Sequence, residues 1–275
     1  MIDLRLGDYR ETLADVTCDL LCVDAPYSAR THGGHDGGAQ NVNKPKGYDQ
    51  RASRFADYAA RHSGQRSGTG SAAYESAPGL INAKNYERRS IDYAGWTPDD
   101  VRAFVDFWTP RTRGWMVSIT DHVLAPVWAE AMEATGRYVF APIPWVAPGS
   151  RVRLAGDGPS SWTCWIIVGR PRTGEDRNGR PFSKWGTLPG AYVVTQERGI
   201  VVGNKPLALM AQLVDDYSRP GDTVCDPCAG GGTTLLAARK LGRDAIGSEL
   251  DPETHHKASM RLGLVEDVEG LPLFA

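Results

Sequence analysis

The sequence predicts an α/β fold, a mostly parallel sheet with helices on both faces. Three observations predict it. Cys18 to Val23 is almost wholly apolar, as a parallel strand covered on both faces should be. Val224 to Glu249 reads as one β-α-β unit: a strand, a tight glycine loop, a helix stopped by Gly242, and a second strand ending in an acid. Strands and helices alternate along most of the remaining chain.

Ile2 to Leu6 is a short alternating strand, and Tyr9 to Leu13 a short helix. The Cys18–Val23 strand ends at Asp24-Ala25-Pro26-Tyr27. Ligand and catalytic groups gather at the carboxyl ends of strands in open α/β sheets. Ser28 to Tyr93 has no sustained period and reads as a functional or disordered insertion, with one helix at Arg54 to Arg61. Thr97 caps a helix that has Pro98 at its first position, two acids in its first turn, and an end near Trp108. A strand from Gly114 to Thr120 ends in Asp121-His122, a helix covers Val123 to Ala134, and Tyr138 to Val146 is a strand made irregular by two prolines. Trp162 to Val168 is another strand, and Pro206 to Tyr217 a helix. Thr223 to Cys225 opens the β-α-β unit, whose helix runs from Leu235 to Leu241 and whose second strand is Asp244 to Glu249. A last helix follows Asp251-Pro252 and runs to about Leu262.

The 275 residues suffice for one large domain, residues 1–275, with room for an insertion. No apolar run approaches the roughly 20 residues that span a bilayer, and nothing reads as a signal peptide, so a soluble cytoplasmic protein is expected. The five cysteines sit in apolar stretches and read as reduced, buried thiols. Cys225 and Cys228 form a CxxC, but no second Cys or His pair stands at ligand spacing, so no metal is expected. Net charge is −2, which by itself points to no polyanion. Its distribution does: Ser28 to Tyr93 holds ten Lys/Arg against six Asp/Glu, and Arg151 to Lys205 nine against four. Two basic segments on an acidic frame fit either a nucleic-acid face or two solvated loops.

Two constellations carry chemistry. In Asp226-Pro227-Cys228-Ala229-Gly230-Gly231-Gly232-Thr233-Thr234, an acid closes a strand and the triplet opens a helix, with Glu249 at the next strand end. That order suits a nucleoside, the helix N-terminus facing an anionic group and the second acid a pair of ribose hydroxyls. The spacing fits neither a dinucleotide fingerprint nor a P-loop. The alternative is a turn needed only for close packing of helix on sheet. In Asp24-Ala25-Pro26-Tyr27, the carboxylate and the carbonyl of Ala25 can accept hydrogen bonds from an exocyclic amine, while Tyr27 offers a face for a base to stack on. Taken alone, this tetrapeptide also reads as a strand-ending turn with an Asp cap.

The pair DAPY and DPCAGGGTT, with GNKPLALMAQLV before the second, resembles the S-adenosylmethionine-dependent amino-methyltransferases of DNA. Catalytic motif first and cofactor motif late resembles the circularly permuted β-group of these N6-adenine and N4-cytosine enzymes, some of them partners in restriction–modification. The likeness is close over residues 1–28 and 200–262, and only a pattern of strands and helices over 94–170. It implies a Rossmann-like, class I methyltransferase fold in permuted order. It implies S-adenosyl-L-methionine as cofactor, held by Asp226, Pro227, Cys228, Gly230, Gly232, Thr233, Thr234 and Glu249. Leu250 would lie beside the adenine ring, with Asp8, Lys205 and Pro206 lining the pocket. Asp24, Ala25, Pro26 and Tyr27 would be the catalytic set, acting on double-stranded DNA. Asp at position 24 favours N6 of adenine, with N4 of cytosine as the alternative. Two positions depart from the family: Ala25 stands where proline is usual, implying a looser turn, and Cys228 where phenylalanine is usual, bearing on cofactor affinity.

Target recognition is expected from residues 151–199, through arginines such as Arg170 and Arg180, and from the 28–93 insertion ordering over DNA. Trp145, Trp162 and Trp165 are expected as core residues, any one of which could wall a base pocket. Competing classes are a weakened homologue that binds cofactor or DNA without turnover, an RNA or protein amine methyltransferase, and, more distantly, a nicotinamide oxidoreductase. A homodimer is compatible with the sequence.

Overall fold

The computed structural model describes residues 1–31, 93–150, 159, 161–197 and 199–265. The chain divides into two units, one of Met1–Ala29 with Tyr93–Ala275, the other Arg30–Asp92. The first unit holds the sheet. The expected helix at Arg54 to Arg61, the Gly/Pro loop after Arg151 and the apolar tail fall wholly or mainly outside the described residues.

Among the described residues, nine strands form one sheet: β1 (Ile2–Leu6), β2 (Cys18–Val23), β3 (Thr112–Thr120), β4 (Tyr138–Val139), β5 (Ile143–Val146), β6 (Thr163–Arg170), β7 (Tyr192–Val193), β8 (Thr223–Asp226) and β9 (Asp244–Glu249). The order is β1-β9-β8-β2-β3-β6-β5-β7, with β4 beside β6. The five strands from β1 to β3 are parallel, β6 runs against β3, β5 runs against β6, and β7 is parallel to β5. The mostly parallel sheet is borne out. From β2 the chain moves outward to β3, and from β8 it moves the other way to β9. The order therefore reverses between β8 and β2, which meet at Leu20–Val224 and Leu21–Cys225. A crevice opens at the carboxyl ends of the strands where such a reversal occurs.

The two-residue period of β2 explains its apolar run. Leu20 and Cys22 enter one core with Leu209, Leu213 and Val214 of α4 (Leu207–Tyr217) and Leu235 and Ala238 of α5 (Thr233–Lys240). Leu21 and Val23 enter the other with Phe104 and Trp108 of α2 (Pro98–Trp108) and Trp128 of α3 (Ala125–Ala134). Two short-range devices start elements where the sequence placed them. Thr97 and Asp100 form a full capping box on α2, and the Asp251 carboxylate caps α6 (Pro252–Leu262).

The irregular strand expected from Tyr138 to Val146 is two strands, β4 and β5, both paired to β6 and separated around Pro142, which has no N–H for a ladder. The two-residue β7 was not foreseen; it is too short to show a period. Among the described residues no helix is long and apolar enough to cross a membrane.

Candidate active site

The crevice is lined by the ends of four parallel strands. At the end of β8, Asp226 is buried and accepts from the Thr234 hydroxyl and, at 3.2 Å, the Cys228 N–H. The chain then makes the glycine loop, with Gly230 and Gly232 at φ +50° and +70°, a region that favours glycine. Between them, Gly231 is required for space, since a Cβ there would meet Asn204 Oδ1 at 2.2 Å. At the end of β9, Glu249 accepts from the Gly230 N–H at 2.8 Å through one oxygen and from the Asp251 N–H at 2.9 Å through the other. Each carboxylate oxygen keeps a second lone pair for a ligand hydroxyl. Leu250, next along the chain, is 69 % exposed and forms an apolar rim.

Asp24 stands at the end of β2, its side chain largely covered. Behind it Ala25 and Tyr27 are buried. The turn is braced from β3. Asp121 accepts from the N–H of Ser28 at 2.9 Å and from its hydroxyl at 2.5 Å, while its other oxygen takes the N–H groups of Val123 and Leu124. The Trp96 N–H closes on the Tyr27 carbonyl at 3.0 Å. Asp121, which follows β3, lies behind the turn as its anchor.

Three carboxylates therefore converge. Burial is the main cause that raises the Asp226 pKa to about 7, and the charges of Asp24 and Glu249 push it the same way against the lowering hydrogen bonds from Thr234 and Cys228. An acid-lined crevice of this kind suits a ligand that carries positive charge. Burial pushes the Cys225 and Cys228 thiols well above their usual range, which disfavours thiolate chemistry.

Several expected residues do other work. Asp8 caps α1 (Tyr9–Thr12) through the Arg10 N–H and pairs with the Arg10 guanidinium at 2.5 Å. The Thr234 hydroxyl is spent on Asp226, and the Thr233 hydroxyl meets Asn204 at 3.0 Å and Arg261 at 2.8 Å. Both threonine side chains are buried, so they shape the loop from within. Pro206 is buried at the N-cap of α4. Lys205, expected in the cofactor pocket, bonds the Asp24 carboxylate and lies over the Tyr27 ring, 5.0 Å from its centroid.

Three further residues of the site were not singled out from the sequence. Asn204 and Arg261 hold the glycine loop, Arg261 also donating to the Gly231 carbonyl at 2.8 Å. Tyr93 sits with its hydroxyl near Gly203, and its pKa is pushed to about 12, first by burial and then by the charge of Asp24. Asn204 lies within the GNKPLALMAQLV phrase without its role being apparent there, and no local pattern marks Tyr93 or Arg261, because each acts across the fold. Trp145 is a core residue whose ring N–H donates to the Val194 carbonyl at 2.9 Å. Trp165 packs on the α2–α3 side of the sheet.

A model of the DNA methylase family matches residues 78–260, about two thirds of the chain. The chain belongs to this family of DNA amino-methyltransferases. The match contains the whole glycine loop and Glu249 but begins after Asp24–Tyr27. The type II methyltransferase M.HindIII of Haemophilus influenzae is 42 % identical over 72 residues, which are 26 % of this chain and 23 % of that protein. The matched stretch thus spans under a quarter of that relative's length. Among solved structures, the M1.HpyAVI–SAM complex aligns with a TM-score of 0.57 at 18 % identity, covering 95 % of this chain and 99 % of that one. The PvuII DNA methyltransferase, titled cytosine-N4-specific, aligns with a TM-score of 0.54 at 12 % identity, covering 98 % and 88 %. These likenesses show that the class I methyltransferase fold is shared.

Proposed function

We propose that this methylase transfers a methyl group from S-adenosylmethionine to N6 of adenine in double-stranded DNA. The observation that carries the reading is the meeting of Asp24 and Asp226 at the switch point of the sheet, one strand end apart. The cofactor suits the crevice, because S-adenosylmethionine is a nucleoside with a sulfonium and an ammonium group, and three carboxylates converge there. Glu249 would hold its ribose hydroxyls and Leu250 its adenine ring. The backbone N–H groups that open α5 would face its carboxylate, the threonine side chains serving only the loop. When bound, S-adenosylmethionine supplies an electrophilic methyl group.

The residues of the chain supply position and charge. The Asp24 carboxylate and the Ala25 carbonyl would accept the two N–H bonds of the target amine and aim its lone pair. Tyr27 would stack on a base flipped from the duplex. One proton must leave the nitrogen on methylation, and Asp24 is the acceptor within reach. The turn that presents these groups is fixed from behind by Asp121, so alanine at position 25 does not leave it unsupported.

Adenine is preferred because an aspartate opens the motif, the feature that in the resembled family goes more often with adenine than with cytosine. Sequencing of methylated bases in DNA from cells that express this chain tests the proposal. Adenine methylated at a defined site is the expected result. Methylated cytosine in its place would move the assignment to N4.

A further inference from the structure

We infer that Lys205 is a stand-in for the target amine, occupying its place until a base displaces it. This rests on the function proposed above. The Lys205 side chain is only 9 % exposed, and its ammonium makes three contacts in the site. It bonds Oδ2 of Asp24, bonds the Gly203 carbonyl at 3.1 Å, and lies over the ring of Tyr27. Two of these are the contacts that an incoming base needs. A nitrogen that donates to Asp24 while lying over Tyr27 is the description of an exocyclic amine stacked in the catalytic turn.

A second nitrogen cannot lie over the face of the Tyr27 ring that the ammonium already covers. Tyr27 is only 8 % exposed and belongs to the core that α4 and α5 cover, so little of its ring is open to a second occupant. Lys205 directly precedes Pro206, the N-cap of α4, so its backbone is anchored while its four-carbon stem can turn. Displacing the ammonium breaks a charge-assisted hydrogen bond with a largely covered partner. A base bearing an amine replaces that bond; a base without one does not. Lys205 is therefore a specificity-determining residue that selects amine-bearing bases by competing with them.

The test compares wild type, Lys205→Met and Lys205→Arg, using methylation-free duplex DNA as substrate and calorimetry for S-adenosylmethionine. Lys205→Met should lower the KM for DNA by roughly tenfold, the worth of one charge-assisted bond. Its Kd for S-adenosylmethionine should stay within about threefold of wild type, which also reports that the variant is folded. Lys205→Arg should keep the high KM. If the methionine variant melts early, Lys205→Gln repeats the measurement with the same expected fall. An unchanged or raised KM overturns the inference, as does a loss of S-adenosylmethionine affinity of about tenfold or more, which would make Lys205 a cofactor ligand. A wild-type chain that methylates no DNA defeats the substrate reading itself; one that methylates DNA with the KM pattern reversed defeats only the role of Lys205.

Discussion

At the scale of single residues, the site is a balance of three carboxylates and one ammonium. Asp24 is the group in closest touch with the target amine in the proposed reaction. Replacing it by alanine should lower kcat by about 10²–10³-fold, the usual cost of one preorganised electrostatic contact. Transfer of labelled methyl to DNA measures this, and activity within a few-fold of wild type would remove Asp24 from the chemistry. Asp226 makes a second prediction. Its carboxyl, raised from 3.8 to about 7 by burial, is protonated in the fold but not in the unfolded chain between those values. Its contribution to stability is therefore present at low pH and lost as pH rises from 3.8 to about 7. A cationic ligand beside it favours the charged form. Affinity for S-adenosylmethionine should rise about tenfold between about pH 6 and pH 8, with a proton released on binding. Calorimetry in buffers of different ionisation enthalpy reads both, and a flat affinity over that range would contradict it. The residues nearest the chain's own motifs were legible in the sequence: Asp24, Asp226 and Glu249 each end a strand whose pattern is plain. The roles of Lys205, Asn204 and Arg261 were not, because what they touch lies 181, 29 and 28 residues away.

At the scale of elements, two short loops are held in shape by groups outside them. The glycine loop is fixed by Glu249, Asn204 and Arg261, and the turn after β2 by Asp121. Asp121 is 4 % exposed and accepts two hydrogen bonds from Ser28 and two that start the turn into α3. Asp121→Ala should cost at least about 2 kcal/mol of stability, the scale for buried donors left without a charged acceptor. A lowered melting temperature with reduced kcat is the expected result. An unchanged melting temperature would mean that the turn holds itself. Helix boundaries were legible where a cap writes them, as at Thr97 and Asp251. The strands β4, β5 and β7 were not, because two to four residues cannot show a period and their partner, β6, is set by tertiary pairing.

At the scale of the whole unit, the direction of each strand sets which end of the sheet its flanking residues reach. The antiparallel turn at β6 decides which end the described parts of residues 161–197 reach. The carboxyl end of β5, the start of β6 and the residue after β7 lie at the same end of the sheet as Asp24; the end of β6 lies at the opposite one. The expected recognition segment is therefore divided. Arg170 closes β6 and stacks over Tyr138 and Phe140, far along the sheet from Asp24. Arg177 pairs with Asp19 at the start of β2, and the Arg180 N–H closes the neighbouring turn on Asp176. Charge counting along the chain could not see this, because it ignores strand direction. Arg170→Ala and Arg180→Ala should leave DNA affinity within about twofold, against the expectation from sequence. Filter binding at moderate salt measures it, and a loss of about tenfold or more would place DNA at this end after all.

Transfer of a methyl group to an adenine amine is open to one direct measurement. The chain is incubated with S-adenosylmethionine labelled in its methyl group and with methylation-free duplex DNA, and the DNA is digested to nucleosides and separated. Label in N6-methyldeoxyadenosine, absent with Asp24→Ala, is the predicted result. Label in N4-methyldeoxycytidine alone, or none in DNA, would contradict it.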